Sequence, residues 1–140
     1  MKFHHLGIFV NKIHEGIKIF KELLNIKKSS KVILDKKMGV KVVFLYDSQN
    51  ICYEIVSPYG KKNPVSKVIK QGFNILNHIA YKVKKFDDKI IDLRKKGYAP
   101  IILPIRSKAF NNKRVCFFLT PINFIIELIE LIYPTEICLL

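Results

Sequence analysis

The chain has 140 residues, 49% of them hydrophobic, and its 25 basic and 11 acidic side chains give a formal net charge of +14. This length suits one domain with a sizeable buried core, and the apolar content excludes a disordered chain. The most apolar stretch, residues 124–132, carries Glu127 and Glu130 and falls well short of the roughly 20 apolar residues that span a bilayer. The sequence therefore predicts a folded protein without a membrane span.

Cysteine usage and charge limit the compartment and the partners. Cys52, Cys116 and Cys138 match neither a zinc ribbon nor a disulfide framework, and we do not expect the first residues of this sequence to act as a signal peptide. We expect reduced thiols and a cytoplasmic location. The lysines are spread along the whole chain and accompany no nucleic-acid-binding motif. A charge of +14 suits nucleic acid, an acidic membrane or a phosphate-bearing small molecule. Because the lysines are scattered, we interpret each lysine pair as solvated and expect a small-molecule substrate, with no nucleic-acid or membrane partner.

The first half predicts a strand, an amphipathic helix and three further strands. The first strand covers residues 3–10. Ile13, Ile17, Phe20 and Leu24 follow at helical spacing. The three strands are predicted at residues 31–34, 40–46 and 51–56, and a hairpin turn is predicted at 47–50. Residues 58–63 are a predicted loop, and Pro64 opens a connecting helix that runs to Gln71.

The second half repeats this order. A strand is predicted over residues 75–83, and a helix over 87–96 that ends at Gly97. Strands are predicted at residues 101–105, 114–119 and 124–131. A shift of 73 residues, which carries residue 5 onto residue 78, superimposes the two halves without a gap over roughly fifty positions.

The repeat defines the expected organisation. We predict one domain over residues 1–140, with internal modules 1–60 and 74–134 joined by a helical connector at 61–73. Neither module can cover its own sheet, because an apolar sheet face needs a second layer. The predicted fold class is α+β, with two tandem βαβββ modules forming a curved mixed sheet around a central cavity. Edge strands of such a sheet also make a homodimer a possible assembly.

Four candidate ligands are related by the same shift: His5 with His78, and Glu54 with Glu127. A lone strand histidine is usually a hydrogen-bonded core residue, and a lone inward glutamate usually pairs with a lysine. Two matched pairs favour a mixed nitrogen and oxygen site for a divalent metal ion, with Co, Ni, Mn, Fe and Zn all left open. His4 and His14 fall on no histidine when shifted, so we interpret them as ordinary surface or outer-sphere residues.

The segments around these four residues resemble the vicinal oxygen chelate superfamily, which includes the glyoxalase, bleomycin resistance and dioxygenase proteins. Those segments are His5-Leu6-Gly7-Ile8, Tyr53-Glu54-Ile55-Val56-Ser57-Pro58, Asn77-His78-Ile79-Ala80 and Ile126-Glu127-Leu128. Within the superfamily the sequence is most similar to methylmalonyl-CoA epimerases, through residues 57–60, 63–67 and 77–80. Bacterial glyoxalase I shares the His, Glu, His, Glu set but is less similar in this middle segment.

The resemblance implies a glyoxalase-like fold and a metal-dependent proton abstraction. The ion would hold two oxygens of the substrate and stabilise an enediolate formed next to a carbonyl. His5, Glu54, His78 and Glu127 would be the ligands. Glu127 is the first candidate for the catalytic base and Glu54 the second.

The substrate is less clearly implied than the metal. Lys67, Lys113 and Arg114 are candidates for contacting its phosphates or carboxylate. Some epimerases carry another glutamate in the strand held here by residues 40–45, where no acid occurs, and the hairpin at 120–123 is shortened. The resemblance implies a metal-dependent isomerase or epimerase of the methylmalonyl-CoA epimerase type. The departures fit a relative that acts on another acyl thioester or acyl-carrier substrate, or one that is retuned to a different small molecule. The alternatives are a lactoylglutathione lyase of the glyoxalase I type, a small-molecule-binding protein without turnover and, on charge alone, nucleic-acid binding.

Overall fold

The structure is a computed structural model that describes residues 1–72 and 75–132. The strands are β1 (Lys2–Phe9), β2 (Ile26–Ser29), β3 (Ile33–Asp35), β4 (Val40–Asp47), β5 (Cys52–Pro58), β6 (Leu76–Val83), β7 (Ala99–Ser107), β8 (Lys113–Leu119) and β9 (Ile125–Glu130). The helices are α1 (Ile13–Leu23), α2 (Ser66–Gln71) and α3 (Phe86–Lys95), and a 3₁₀ helix covers Lys108–Phe110.

The strands form one mixed sheet whose two halves meet at its centre. The strand order is β2-β4-β5-β1-β6-β9-β8-β7, with β3 paired to β4. The central pair, β1 and β6, is antiparallel, whereas β1 runs parallel to β5 and β6 runs parallel to β9. The predicted fold class is confirmed. The first and last strands of each half therefore lie side by side at the middle of the sheet, which is where the candidate ligands occur.

The strand registers repeat with the same shift of 73 residues that relates the sequences. Gly7 is opposite Glu54 on β5, and Ala80 is opposite Glu127 on β9. The hairpins agree as well, since Phe44 is opposite Glu54 and Phe117 is opposite Glu127. Because the backbone pairing is duplicated, equivalent side chains of the two halves reach equivalent places on the sheet.

Each hairpin is apolar on both faces because both faces are covered. In β4, Val43 and Leu45 pack with Ile13 of α1, while Phe44 belongs to the cluster on the other face. In β8, the side chains of Cys116 and Phe118 pack with Leu93 of α3 in the same way. Because successive side chains of a strand lie on opposite faces of the sheet, each hairpin packs one face against a helix and has the other on the concave side of the sheet.

The sequence prediction differs from the structure at several boundaries. It missed β2, a four-residue strand that pairs with β4 and has three exposed residues, so no apolar alternation marks it. The strand predicted at 31–34 is the shorter β3. Helix α2 begins at Ser66, two residues after Pro64. The Asn63 side chain accepts hydrogen bonds from the Val65 and Ser66 amides, which stabilises this turn at the start of the helix.

Some predictions fall outside the described residues. These are the module boundary at 73 and 74, the module end at 133 and 134, and Cys138. Within the described ranges, no helix is both long enough and apolar enough to cross a membrane. Cys52 and Cys116 are free and buried. Burial raises the pKa of Cys52 to about 11 and that of Cys116 to about 12, which keeps both thiols protonated at neutral pH.

Candidate metal centre

The four predicted ligands meet at the middle of the sheet. His5 lies on β1 opposite Ala80, and His78 lies on β6 opposite Gly7. Glu54 and Glu127 occupy the strands that flank this central pair. Tyr53 and Ile55 on either side of Glu54 pack toward α1, so alternation turns the Glu54 carboxylate toward the opposite, concave face.

The ligand atoms converge within 4.8 Å of one another. Nε2 of His5 lies 2.5 Å from Glu54 Oε2 and 3.2 Å from Glu127 Oε2. Nε2 of His78 lies 3.1 Å from Glu127 Oε2 and 4.0 Å from Glu54 Oε2, and the two Nε2 atoms are 3.2 Å apart. Two donors that each bind an ion at about 2.1 Å are separated by at most about 4.2 Å. These five distances fall below that limit, so the ligand atoms lie within range of one shared ion.

The donor chemistry fits a divalent cation. All four side chains are buried, with His5 fully inaccessible and Glu127 only 2% exposed. Oε2 of Glu54 and Oε2 of Glu127 have histidine Nε2 atoms as neighbours, and without a proton on those nitrogens neither oxygen has a hydrogen-bond donor. A buried carboxylate oxygen without a partner is costly unless a cation approaches it. The cluster can therefore hold a metal ion through two imidazole nitrogens and two carboxylate oxygens, a set that suits first-row transition metals.

The protonation states follow from the same contacts. Burial lowers the pKa of His5, but attraction to Glu54 and hydrogen bonds to Glu127 and Glu54 outweigh it and raise the pKa to about 10. Burial would raise the pKa of Glu127, yet its contacts with His5 and His78 hold it well below its usual range. In the metal-free protein a proton on His5 neutralises part of the acid charge, and a metal ion has to displace this proton.

The outer nitrogens of the two histidines are also engaged. Nδ1 of His78 lies 3.0 Å from the amide oxygen of Asn77, and Nδ1 of His5 lies 2.8 Å from Nδ1 of His4. Burial, followed by repulsion from His5, lowers the pKa of His4 to about 4, so His4 is neutral at neutral pH and can accept a hydrogen bond. Both imidazoles thus direct Nε2 to the centre of the cluster.

An aromatic wall covers His5. The ring of Phe110 stacks on His5 with the planes 11° apart and the centroids 5.8 Å apart. The 3₁₀ helix that carries Phe110 is held by Asp35, whose buried carboxylate accepts hydrogen bonds from the Lys108 and Met38 amides. The sequence did not reveal this role of Asp35, because Lys108 lies 73 residues away along the chain.

Gly7 leaves the space that His78 occupies. A Cβ atom built at Gly7 would overlap Cε1, Nε2 and Nδ1 of the His78 imidazole. Only glycine has no side chain at this position. The ring of His78 therefore lies directly against the backbone of β1, and glycine at residue 7 is a condition for the ligand geometry.

A cavity of about 160 Å³ adjoins the cluster. Glu54, His78 and Glu127 form part of its lining, and most of the remaining lining is apolar, from Phe9, Met38, Val40, Val42, Val56, Pro64, Val68, Ile101, Ile102, Ala109, Phe110, Phe117 and Ile125. Among the residues that the structure describes, Asn77 and Ser107 are the other polar residues that line it, and no lysine or arginine of this part does so. Apolar cavities of about 150 Å³ accommodate a molecule the size of benzene.

The three predicted substrate cations lie elsewhere. Lys67, Lys113 and Arg114 are all absent from the cavity lining. The Arg114 guanidinium binds Glu130 at 2.7 Å and Asp87 at 3.0 Å, so it joins β8 to β9 and α3. Binding of substrate by Lys67 and Lys113 stays a prediction, whereas Arg114 has these two carboxylates as partners.

The fold and the central cluster define a glyoxalase-like protein that can hold a metal ion. The chain matches the model of the Glyoxalase/Bleomycin resistance protein/Dioxygenase superfamily over residues 4–117. The protein belongs to this superfamily, which confirms the resemblance found in the sequence. Among curated proteins, none matches the chain.

Solved structures show the same fold at low sequence identity. A hypothetical protein from Bacillus halodurans C-125 is 24% identical with a TM-score of 0.79, covering 96% of this chain and 97% of its own. Methylmalonyl-CoA epimerase from Mycobacterium tuberculosis is 21% identical with a TM-score of 0.76, and the match covers 94% of this chain and 89% of that enzyme's chain. A third structure is a Streptomyces coelicolor methylmalonyl-CoA epimerase variant in complex with 2-nitronate-propionyl-CoA. It is 18% identical with a TM-score of 0.69, and the match covers 93% of this chain and 96% of that chain.

The raised pKa of His5 predicts the pH dependence of the metal-free fold. The folded pKa of about 10 exceeds the ordinary value of 6.5, so protonated His5 stabilises the fold fully below 6.5, and this contribution is lost as the pH rises toward 10. We expect the free energy of unfolding of chelator-treated protein to fall by a few kcal/mol across this window, as measured by urea titration. His14→Gln should show the same loss, and an equal loss in His5→Gln would contradict the assignment.

Replacement of Gly7 tests the packing of His78. We expect Gly7→Ala to push the imidazole of His78 out of the cluster and to weaken Co²⁺ binding roughly tenfold or more, measured by competition with a chelator. Leu6→Ala, at the adjacent position on the opposite face of β1, should keep the wild-type affinity. Unchanged affinity in folded Gly7→Ala would show that the ring does not need this space.

Proposed function

We propose that the protein is a metal-dependent isomerase of the methylmalonyl-CoA epimerase type, which removes and returns a proton next to the carbonyl of an acyl thioester. The observation that carries this proposal is the convergence of two buried imidazoles and two buried carboxylates beside a small apolar cavity. The proposal combines a site for a divalent ion, acids placed next to that site and room for an acyl group.

The cluster supplies the first part. His5, Glu54, His78 and Glu127 would hold the ion, and the Oε2 atoms of both glutamates, which lack a hydrogen-bond donor unless a histidine Nε2 is protonated, support this role. A bound divalent ion would provide Lewis-acid stabilisation for the negative charge that develops when a proton next to a carbonyl is removed. Its identity among Co, Ni, Mn, Fe and Zn is left open by the donor set.

The proton-transferring group is proposed from the cavity lining. Glu54 and Glu127 are the carboxylates that line the cavity, so an acyl group bound there would lie beside both. We assign the base to Glu127 first and to Glu54 second. Each of these carboxylates has two oxygens, so one can bind the ion while the other accepts a proton from a substrate held in the cavity.

The shape and polarity of the cavity support an acyl thioester. Its volume of about 160 Å³ suits a short acyl group, and its largely apolar walls exclude water from the reacting carbon. One structural neighbour, a Streptomyces coelicolor methylmalonyl-CoA epimerase variant, is in complex with 2-nitronate-propionyl-CoA. A CoA or acyl-carrier thioester would place its carrier portion outside this cavity, toward solvent.

A glyoxalase I activity is the second candidate. It is favoured by the His, Glu, His, Glu donor set, which resembles that of bacterial glyoxalase I. Both reactions begin by removing a proton next to a carbonyl, so the same base would serve. The substrate would then be the hemithioacetal of methylglyoxal and glutathione, and the product would be a thioester.

Deuterium exchange tests the proposed reaction. Protein loaded with each candidate metal is incubated in D₂O with methylmalonyl-CoA and with larger 2-substituted analogues, and incorporation at the α-carbon is followed by mass spectrometry. We expect exchange well above the spontaneous rate. Glu127→Gln should lower it roughly 100-fold or more, because a positioned base commonly contributes that much.

Glu130→Gln provides the matched control. Glu130 lies on the same strand as Glu127, and its carboxylate binds Arg114 instead of entering the cluster. This variant should retain exchange. If deuterium exchange stays at the spontaneous rate for every thioester and every metal, the isomerase activity is contradicted. Thioester formation from methylglyoxal and glutathione would then favour the lyase.

A further inference from the structure

The central strand pair contains two register irregularities. On β1 the register passes from Phe3 opposite Tyr81 to His5 opposite Ala80, which leaves His4 as an extra residue. On β6 it passes from His78 opposite Gly7 to Leu76 opposite Ile8, which leaves Asn77 as an extra residue. β-Bulges of this kind re-aim a side chain and are common next to functional sites.

The two bulges are equivalent under the internal repeat. The shift of 73 residues that relates His5 to His78 also carries residue 4 onto residue 77. Each bulge residue lies directly before a candidate ligand, and each contacts Nδ1 of that ligand, at 2.8 Å in the first half and 3.0 Å in the second. His4 and Asn77 occupy equivalent positions and differ in their side chains, and what they share is the contact with the neighbouring imidazole. This indicates that the position serves that imidazole.

The chemistry of Asn77 defines what that position does. An amide oxygen can only accept a hydrogen bond, so Nδ1 of His78 carries the proton and Nε2 is left with a lone pair that faces the cluster. His4 offers a ring nitrogen at the same place beside His5. Edge-on contacts with Phe44 and Phe110, at centroid distances of 6.0 and 5.6 Å, fix the His4 ring.

We propose that His4 and Asn77 are paired positioning residues of the metal centre, each accepting the Nδ1–H of the following histidine so that its Nε2 faces the ion. This inference rests on the metal site of the proposed function and concerns binding of the ion, independent of the reaction that follows. Outer partners of this kind commonly change metal affinity by about 10- to 100-fold. Asn77 and His4 are interchangeable in this role because both supply an acceptor at the same backbone position.

Because His4 and Asn77 are interchangeable in this role, replacing one by the other tests the proposal. Co²⁺ affinity is measured by chelator competition for wild type, His4→Leu, His4→Asn and Asn77→Leu, with thermal unfolding recorded for each metal-free variant. We expect each leucine variant to bind Co²⁺ about 10- to 100-fold more weakly. His4→Asn should recover to within a few-fold of wild type, because it copies the arrangement of the second half.

The outcomes separate this inference from the proposed function. Wild-type affinity in His4→Leu, or a loss in His4→Asn as large as in His4→Leu, would overturn the positioning role while leaving the metal centre intact. Failure of the wild type to bind Co²⁺ would contradict the metal centre itself and this inference with it. Background exchange on the thioesters, with the Co²⁺ affinities as expected, would contradict only the isomerase.

A second measurement needs no variant. Long-range ¹⁵N spectra of the Zn²⁺-loaded wild type report which ring nitrogen of each histidine carries a proton. We expect Nδ1–H for both His5 and His78. A proton on Nε2 of either histidine would overturn the inference even if His4→Leu fails to fold.

Discussion

Two buried carboxylates that face two imidazoles constrain the whole centre of this molecule. Glu54 and Glu127 each place a buried oxygen in the same small volume, where the neighbouring donors are the ring nitrogens of the two histidines. Removing such charge from water is costly unless positive charge accompanies it. In the metal-free protein a proton on His5 supplies some of that charge, and a divalent ion would supply more. The sheet register, the glycine at residue 7 and the aromatic cover on His5 all serve to keep these four groups together.

The duplicated backbone explains how the cluster is built. Each half contributes a histidine from its first strand and a glutamate from its last, and the two halves join through an antiparallel pair of first strands. Since the registers repeat, the ligands of one half approach those of the other from opposite sides. The helices cover one face of each hairpin, which leaves the concave face free to form the cavity. A single half would hold only two donors and one wall of that cavity.

Much of this arrangement was predictable from the sequence because it is periodic. The repeat identified His5, Glu54, His78 and Glu127 together, and strand alternation turned both glutamates inward. Features that depend on distant contacts were not predictable. The strand at residues 26–29 has no apolar alternation, because three of its four residues are exposed and it pairs with β4 through the backbone.

Residues around the ligands show the same limit of prediction from the sequence. His4 and Asn77 could not be matched by residue type, because their shared property is a place in the register and not a side chain. Arg114, whose contact with substrate stays a prediction, forms ion pairs with Asp87 and Glu130, and no local pattern in the sequence connects it to either of them. The absence of cations from the cavity lining became visible only when the segments that form its walls were brought together.

The central claim is that the four buried groups bind one divalent ion. Elemental analysis of purified wild type, Glu127→Gln and His78→Ala tests it directly, with protein concentration measured independently. The account predicts one transition-metal ion per chain in the wild type and a large loss of metal from both variants. Stoichiometric metal that survives both substitutions would contradict the assigned site.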